Sequence, residues 1–413
     1  MIHRILSLGT IAVDTMLYID KMPGKDGFGH VYSEKVVPGG SSANVAVAVK
    51  ELGNIVLQSG KIADDSFGVI IENNLKEEGI DTRYLVTEPG GESLHTYIVV
   101  DKSGEHFILA NSGNCVMNLE KEEIPDQLFE DIDLFYTDLA SPRAAVYIAG
   151  ECYRREIPVV YNLQNPPSMD QGVTSEVIDE MLEYTSLFIT GKATICATTG
   201  VDDPVQAVKT FIGEHHLPDG FICTQGCAGA DWFAEEEYHC GICEVDSVDT
   251  TGAGDAYIAA IMDSYYCKQK SKQESMKDAA VVAALKTMQT GPRFSMDREK
   301  LEEDVYIVKM IGGRIMNEKY LVESCLLTHG LRSVTDEEMM QPWQGVNATF
   351  AWIDKGKIQT GSVEQFIEFR KRKIKLRVNY KNIDEMLEKK VPGALTASGT
   401  MEACRRLEIP TAV

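Results

Sequence analysis

Asp249-Thr250-Thr251-Gly252-Ala253-Gly254-Asp255 brings two threonines, two glycines and a terminal carboxylate into one short run. An alternating stretch precedes it (Ile242, Glu244, Val245, Asp246, Val248), and an apolar stretch with helical spacing follows (Ala256, Ile258, Ala259, Ile261, Met262, Tyr265). The pattern predicts a strand, a tight turn and a helix. A glycine-rich turn at a helix start aims several backbone N–H groups at the space before the helix, where the helix dipole is positive. Such a place holds an anion. A carboxylate within it, Asp255, is suited to take a proton from an attacking hydroxyl. Meanwhile the amides of Gly252, Ala253 and Gly254 hold the charge that develops on a transferring phosphoryl group. The expected chemistry is phosphoryl transfer to a small hydroxylated molecule.

The elements that must position this turn alternate along the chain. Strand-like runs at Arg4–Leu8, Ile55–Lys61, Leu134–Tyr136, Pro158–Tyr161, Leu187–Thr190 and Gly220–Thr224 are separated by helical runs. Those helices are expected at Ser42–Leu52, Phe67–Glu78, Arg143–Arg155, Ser175–Tyr184 and Pro204–His215. The alternation predicts an α/β fold with a mostly parallel sheet covered on both faces, its ligands outside the carboxyl ends of the strands. Met16–Val37 and Leu94–Leu109 break the rhythm with period-two alternation and predict a small antiparallel sheet.

Two signatures then point to a family. Asp249–Asp255 resembles the second signature of the ribokinase-like carbohydrate kinases, also called the phosphofructokinase-B type. Pro38-Gly39-Gly40-Ser41-Ser42-Ala43-Asn44-Val45-Ala46, followed by Leu52-Gly53, resembles the first. The resemblance implies a three-layer sandwich over residues 1–308. Its antiparallel β lid, within 15–38 and 93–110, would close over the substrate and serve as the contact of a homodimer. It implies ATP and Mg2+, with a monovalent cation such as K+ as a further candidate and no metal ligands identified. It implies Asp255 as base and Gly252, Ala253 and Gly254 as anion hole. Asp14, at the end of the first strand, would hold two ring hydroxyls, Gly39 and Gly40 would let the backbone approach the sugar, and Asn44 would bind another hydroxyl. Thr224-Gln225-Gly226-Cys227-Ala228-Gly229 resembles the nucleotide loop, with Thr224, Gly226 and Gly229 toward the ATP phosphates; without the family it is a hairpin turn.

Two departures accompany the matches. The family's Asn-x-x-Glu reads here Thr190-Gly191-Lys192-Ala193-Thr194, without the carboxylate. Lys192 is either a replacement charge for the phosphates or a solvated lysine. The family's Asp-x-Asn-x-Arg reads Asn162-Leu163-Gln164-Asn165-Pro166, which removes a bidentate anion clamp and favours a neutral substrate.

Residues 315–413 carry a different pattern. Tyr320–Gly330, Val346–Asp354 with a turn at Lys355–Lys357, and Pro392–Met401 resemble the N-terminal part of pseudouridine-5′-phosphate glycosidase, with Glu323 as the acidic active-site residue. The expectation is a partial α/β module. The family's Lys-x-Ser-Arg-Arg-Asp appears as Arg377-Val378-Asn379-Tyr380-Lys381-Asn382, and an always-protonated guanidinium cannot act as the attacking amine. The sequence ends at Ala412-Val413, before the family's second lysine, so a degenerate or truncated module is expected. The module suggests pseudouridine as first substrate, with ribose or fructose as alternatives and a sugar- or nucleotide-binding regulator as a reading of another class.

Composition sets the outer bounds. The chain has 413 residues, too many for one ordinary core. A net charge of −23 weighs against nucleic acid or an anionic membrane as partner. The basic run Arg370–Lys375 is expected to be solvated. Ten cysteines without a disulfide-like framework fit a reducing cytoplasm. Cys223, Cys227, His239, Cys240 and Cys243 follow zinc spacing only loosely and are expected to pack as small apolar residues.

Overall fold

The computed structural model describes residues 2–103, 105–243, 245, 247–296, 308–311, 314–317, 350–354 and 357–361. The chain runs through β1 (Arg4–Leu8), β2 (Ala12–Ile19), β3 (Val31–Gly39), α1 (Ser41–Glu51), β4 (Ile55–Ala63), α2 (Ser66–Glu77) and β5 (Asp81–Glu88). It continues through β6 (His95–Val100), β7 (His106–Asn111), β8 (Leu134–Thr137), α3 (Pro142–Arg154), β9 (Val159–Leu163), α4 (Ser175–Glu183) and β10 (Leu187–Gly191). Then come α5 (Lys192–Thr199), α6 (Pro204–Ile212), β11 (Gly220–Thr224), β12 (Ala230–Phe233), β13 (Glu237–Cys240), α7 (Ala253–Ile261) and α8 (Lys272–Thr287). A π-helical turn, Met262–Cys267, continues α7.

The strands that read as unbroken apolar runs lie at the centre of the large sheet. Every residue of β8 and β9 is buried, as is β1 after Arg4, because a parallel strand with helices on both faces has no solvent side. The sheet order is β13-β12-β11-β10-β9-β8-β1-β4-β5. All pairings from β11 to β5 are parallel, and β12 turns back antiparallel on β11. The chain builds outward from β1 through β4 and later from β8 in the other direction. The strand order therefore switches between β1 and β8, where a crevice forms at the carboxyl ends.

The second sheet has the order β3-β2-β6-β7. Each expected hairpin is antiparallel, β2 with β3 and β6 with β7, but the hairpins join through a parallel β2–β6 pairing. Side-chain alternation is the same in both pairing modes, so the sequence could not distinguish them.

Three elements differ from the expected list. Lys192–Thr199 is helical although it is rich in threonine; the Thr198 and Thr199 hydroxyls bond the carbonyls of Thr194 and Ile195 at 2.8 and 2.9 Å, so their competing side-chain bonds are made within the helix. β5 pairs as an edge strand beside β4 and lacks the apolar run that marks the others. The stretch from Ile242 to Val248 is expected to be a strand, yet its described residues carry none, and the last described strand before the turn is β13.

A four-stranded sheet in the order β15-β14-β16-β17 forms from β14 (Val308–Ile311), β15 (Arg314–Asn317), β16 (Phe350–Asp354) and β17 (Lys357–Gly361), with antiparallel pairings throughout. The expected strand and turn around Val346–Lys357 correspond to β16 and the start of β17. The hairpin β14–β15 pairs with β16, so it straddles the expected division at 308–315; the compact units are Met1–His239 with Asp249–Ser295, and Cys240–Val248 with Met296–Val413. Glu323, Tyr320–Gly330, Arg370–Asn382 and Pro392–Met401 lie outside the described residues.

Candidate active site

The second signature folds into the helix start that its glycines predict. Gly252 caps α7 with φ +79°, and a Cβ there would lie 2.0 Å from the Pro292 carbonyl oxygen. Only glycine allows both the left-handed backbone and this approach. Asp249 opens the turn and ties it down: its carboxylate accepts from the N–H groups of Thr251 at 2.9 Å and Gly291 at 2.8 Å.

Asp255 lies in the first turn of α7 and is 8% exposed. Its Oδ1 accepts from the Ser41 hydroxyl at 2.7 Å and the Gln164 amide at 3.1 Å, and its Oδ2 accepts from the Asn44 amide at 2.8 Å. A carboxylate offers about four lone-pair positions. The three donors leave one, on Oδ2, for a substrate hydroxyl. Burial raises the Asp255 pKa, and the donors from Ser41, Asn44 and Gln164 and the nearby Arg293 charge hold it down. The carboxylate is thus made more basic while it stays fixed in direction, which suits a general base.

The first signature supplies the other wall. Gly40 begins α1 with φ +89°, and a Cβ there would lie 2.5 Å from the Thr10 carbonyl oxygen. A Cβ on Gly39 would lie 2.2 Å from Asp14 Oδ2. The close approaches visible at these glycines are to the β1–β2 connection and to Asp14. Asn44 is buried, and its Oδ1 has no hydrogen-bond partner among the described residues, so it keeps an acceptor for a ligand hydroxyl.

Asp14 is not at the end of the first strand as expected. It is the third residue of β2, opposite Val37 of β3 and Thr96 of β6. The chain leaves β1 at Leu8 and re-enters a strand before reaching it. The Thr96 hydroxyl donates to Asp14 Oδ1 at 2.5 Å. Burial raises the Asp14 pKa, opposed by Thr96 and by the Arg293 charge.

Sequence reasoning missed four residues here: Gln164, Thr96, Arg293 and Asp138. Asp138 follows β8 at the strand-order switch, and its carboxylate accepts from the Thr10 N–H at 3.0 Å and the Ala140 N–H at 3.2 Å. It braces the β1–β2 connection, and burial pushes its pKa up to about 6. Arg293 donates from Nη1 to the Ala43 carbonyl at 2.9 Å, and its buried Nε has no partner among the described residues. Its charge acts on both Asp14 and Asp255. The missing arginine after Asn162 therefore does not leave the site without a guanidinium. A residue far along the chain supplies it, which weakens the inference of a neutral substrate.

Thr224 ends β11 opposite Gly191, which precedes the exposed Lys192 at the start of α5. The loop to Gly229 is also a hairpin, closed by the Gln225 N–H to the Gly229 carbonyl at 2.7 Å. Gln164 follows β9, and β11 is two strands away, about 10 Å at ordinary strand spacing. Among the described residues no group of three or more His, Cys, Asp or Glu could hold a metal ion. Within the loosely spaced cysteine group, Cys223 is buried and Cys227 exposed, while His239 Nδ1 meets Asp231 Oδ1 at 2.5 Å. No described helix is long and apolar enough to cross a membrane.

The model of the pfkB family of carbohydrate kinases matches residues 3–299, a span that contains every site residue above. The chain belongs to this family. Its enzymes are phosphotransferases acting on sugar hydroxyls, and this chain is a sugar or nucleoside kinase of the ribokinase type. It is 27% identical over 273 residues to an ATP-dependent ribose-1-phosphate kinase of Halopiger xanaduensis, covering 63% of this chain and 84% of the relative. It is 26% identical over 311 residues to a ribokinase of Bacillus subtilis, covering 73% of this chain and 99% of the relative. The fold matches Arabidopsis thaliana ribokinase in complex with ribose and ATP at a TM-score of 0.61, with 18% identity over 70% of this chain and 94% of that one.

Proposed function

We propose that this kinase transfers the γ-phosphate of ATP to a primary hydroxyl of a ribosyl compound, with pseudouridine as the first candidate. The carrying observation is Asp255, whose one open lone pair lies on Oδ2 at a helix start capped by Gly252. Asp14 and Asn44 Oδ1 would accept the remaining sugar hydroxyls. Thr224, Gly226 and Gly229 would border the nucleotide phosphates, with Lys192 beside them. Magnesium would arrive on the nucleotide, held chiefly by phosphate oxygens and water as this ion commonly is.

Two features support a ribosyl acceptor. The relatives above are named for ribose and ribose 1-phosphate. The glycosidase-like pattern at residues 315–413 suggests pseudouridine, since a glycosidase acting on pseudouridine 5′-phosphate needs a kinase to supply it. That module is proposed to be catalytically degenerate. A second reading, a phosphorylated pentose, rests on Arg293, whose guanidinium acts on both Asp14 and Asp255. A panel of pseudouridine, other ribonucleosides, ribose, fructose and ribose 1-phosphate, with ATP consumption as the readout, separates these readings. The highest kcat/KM is expected for a ribonucleoside. A higher value for ribose or fructose than for every nucleoside overturns that assignment, and a higher value for ribose 1-phosphate selects the Arg293 reading.

The β2–β3–β6–β7 sheet is proposed as the contact of a homodimer. Phe107, Ile108 and Leu109 on its edge strand are 44%, 56% and 56% exposed, and Val31, Tyr32 and Val36 are exposed on the opposite edge. Apolar side chains on both faces of an edge strand favour association. Sedimentation is expected to give a dimer, and Ile108→Glu to shift it toward monomer. A monomeric parent protein rejects the contact.

A further inference from the structure

Lys286 is the only fully buried lysine among the described residues, with 0% exposure, and it lies in the last turn of α8. Its ammonium donates to the Gln289 carbonyl at 3.2 Å and to the Asp249 carbonyl at 3.4 Å. A lysine at a helix end commonly meets the last carbonyls of its own helix. Here one acceptor belongs instead to Asp249, 37 residues earlier, at the opening of the phosphate-binding turn. The same two segments are joined by the Asp249 carboxylate, which accepts from Gly291, and by the contact of Gly252 with Pro292. Burial lowers the Lys286 pKa, and the charges of Asp249 and Asp255 raise it again.

Backbone carbonyls that converge on one positive charge are the environment in which potassium sheds its water. The family resemblance raises such an ion as a candidate, and these residues do not fit it. An alkali ion at the focus of the Asp249 and Gln289 carbonyls would collide with Lys286 Nζ and be repelled by it. We propose that the Lys286 ammonium is the resident cation of the phosphate-binding turn, a tethered charge in place of a monovalent metal ion, so that phosphoryl transfer here needs no added potassium. The proposal rests on the anion-holding role of Asp249–Asp255. Lys286 is a positioning residue: it sets the turn through the Asp249 carbonyl and does not touch the reacting groups.

The test measures kcat and KM for ATP in potassium chloride and in choline chloride of equal ionic strength, for the intact chain and for Lys286→Ala and Lys286→Met. The unchanged protein should turn over at the same rate in both salts. In choline the variants should lose about tenfold in kcat, less than the loss of a direct oxyanion donor. In Lys286→Ala, potassium or ammonium ions should restore most of it, which a merely structural lysine would not allow. Activation of the unchanged protein by potassium overturns the proposal, even if no variant folds. So does a folded Lys286→Ala that keeps its full rate in choline, or one whose lost rate no cation restores. These outcomes leave the kinase reading in place; that reading falls with Asp255, through a separate variant.

Discussion

Asp255→Asn is expected to lower kcat by about 10²–10⁴-fold, the usual contribution of a general base, while the fold and ATP binding persist. The carboxylate is surrounded by donors, so an introduced amide N–H₂ must face one of them. At Oδ1 this is tolerable. The Ser41 hydroxyl can reverse to accept, and the Gln164 amide can turn to present its oxygen. Oδ2 keeps its bond from Asn44, so the variant should melt close to the parent. The missing function is the proton acceptor. The pH profile supplies a second readout with a defined sign. Burial raises the Asp255 pKa, and a base works only when ionised. The parent's kcat should therefore fall as pH is lowered through that pKa, and this acid limb should vanish in the residual activity of the variant. A variant that retains most of its rate would falsify the assignment of Asp255.

What the sequence conveyed depended on how local the signal was. The Asp249–Asp255 turn and the Pro38–Ala46 run are contiguous, their glycines mark backbone shapes that other residues resist, and both appear where expected. The central strands were legible because burial on both faces leaves unbroken apolar runs. Partnerships between distant segments were not legible. Gln164 lies in a run that resembles a lost motif, yet its amide bonds the Asp255 carboxylate. Arg293 follows an unremarkable Gly-Pro, and nothing near it announces Asp14 or Asp255. Lys286 reads as an ordinary helix-end lysine until α8 is placed against the turn. Asp14 takes its role from the family resemblance, which sets it at the end of the first strand. The structure moves it into β2, because the chain re-enters a strand four residues after β1 ends. The run from Ile242 to Val248 alternates as a strand would, but alternation states which faces differ and does not supply a partner strand.

The two glycines of the turn should respond oppositely to the same substitution. Gly252→Ala puts a Cβ 2.0 Å from the Pro292 carbonyl oxygen at a backbone φ of +79°. The left-handed conformation alone costs an L-residue about 1–2 kcal/mol. The collision adds to this, because its partner is backbone and cannot rotate aside. Either the turn or the segment around Pro292 must move, and the turn's amides move with it. Donors aimed at developing charge are sensitive to such shifts, so a loss of about 10²–10³-fold in kcat is expected, comparable with removal of one oxyanion donor. The melting temperature should fall as well. Gly254 is inside α7, has ordinary helical backbone, and a Cβ there would meet nothing within 4 Å. Replacing a helical glycine with alanine typically stabilises by about 1 kcal/mol, so Gly254→Ala should melt no lower than the parent. Thermal unfolding and steady-state kinetics on both variants decide the matter. If Gly252→Ala melts and turns over like the parent, the turn is not a tightly constrained anion hole.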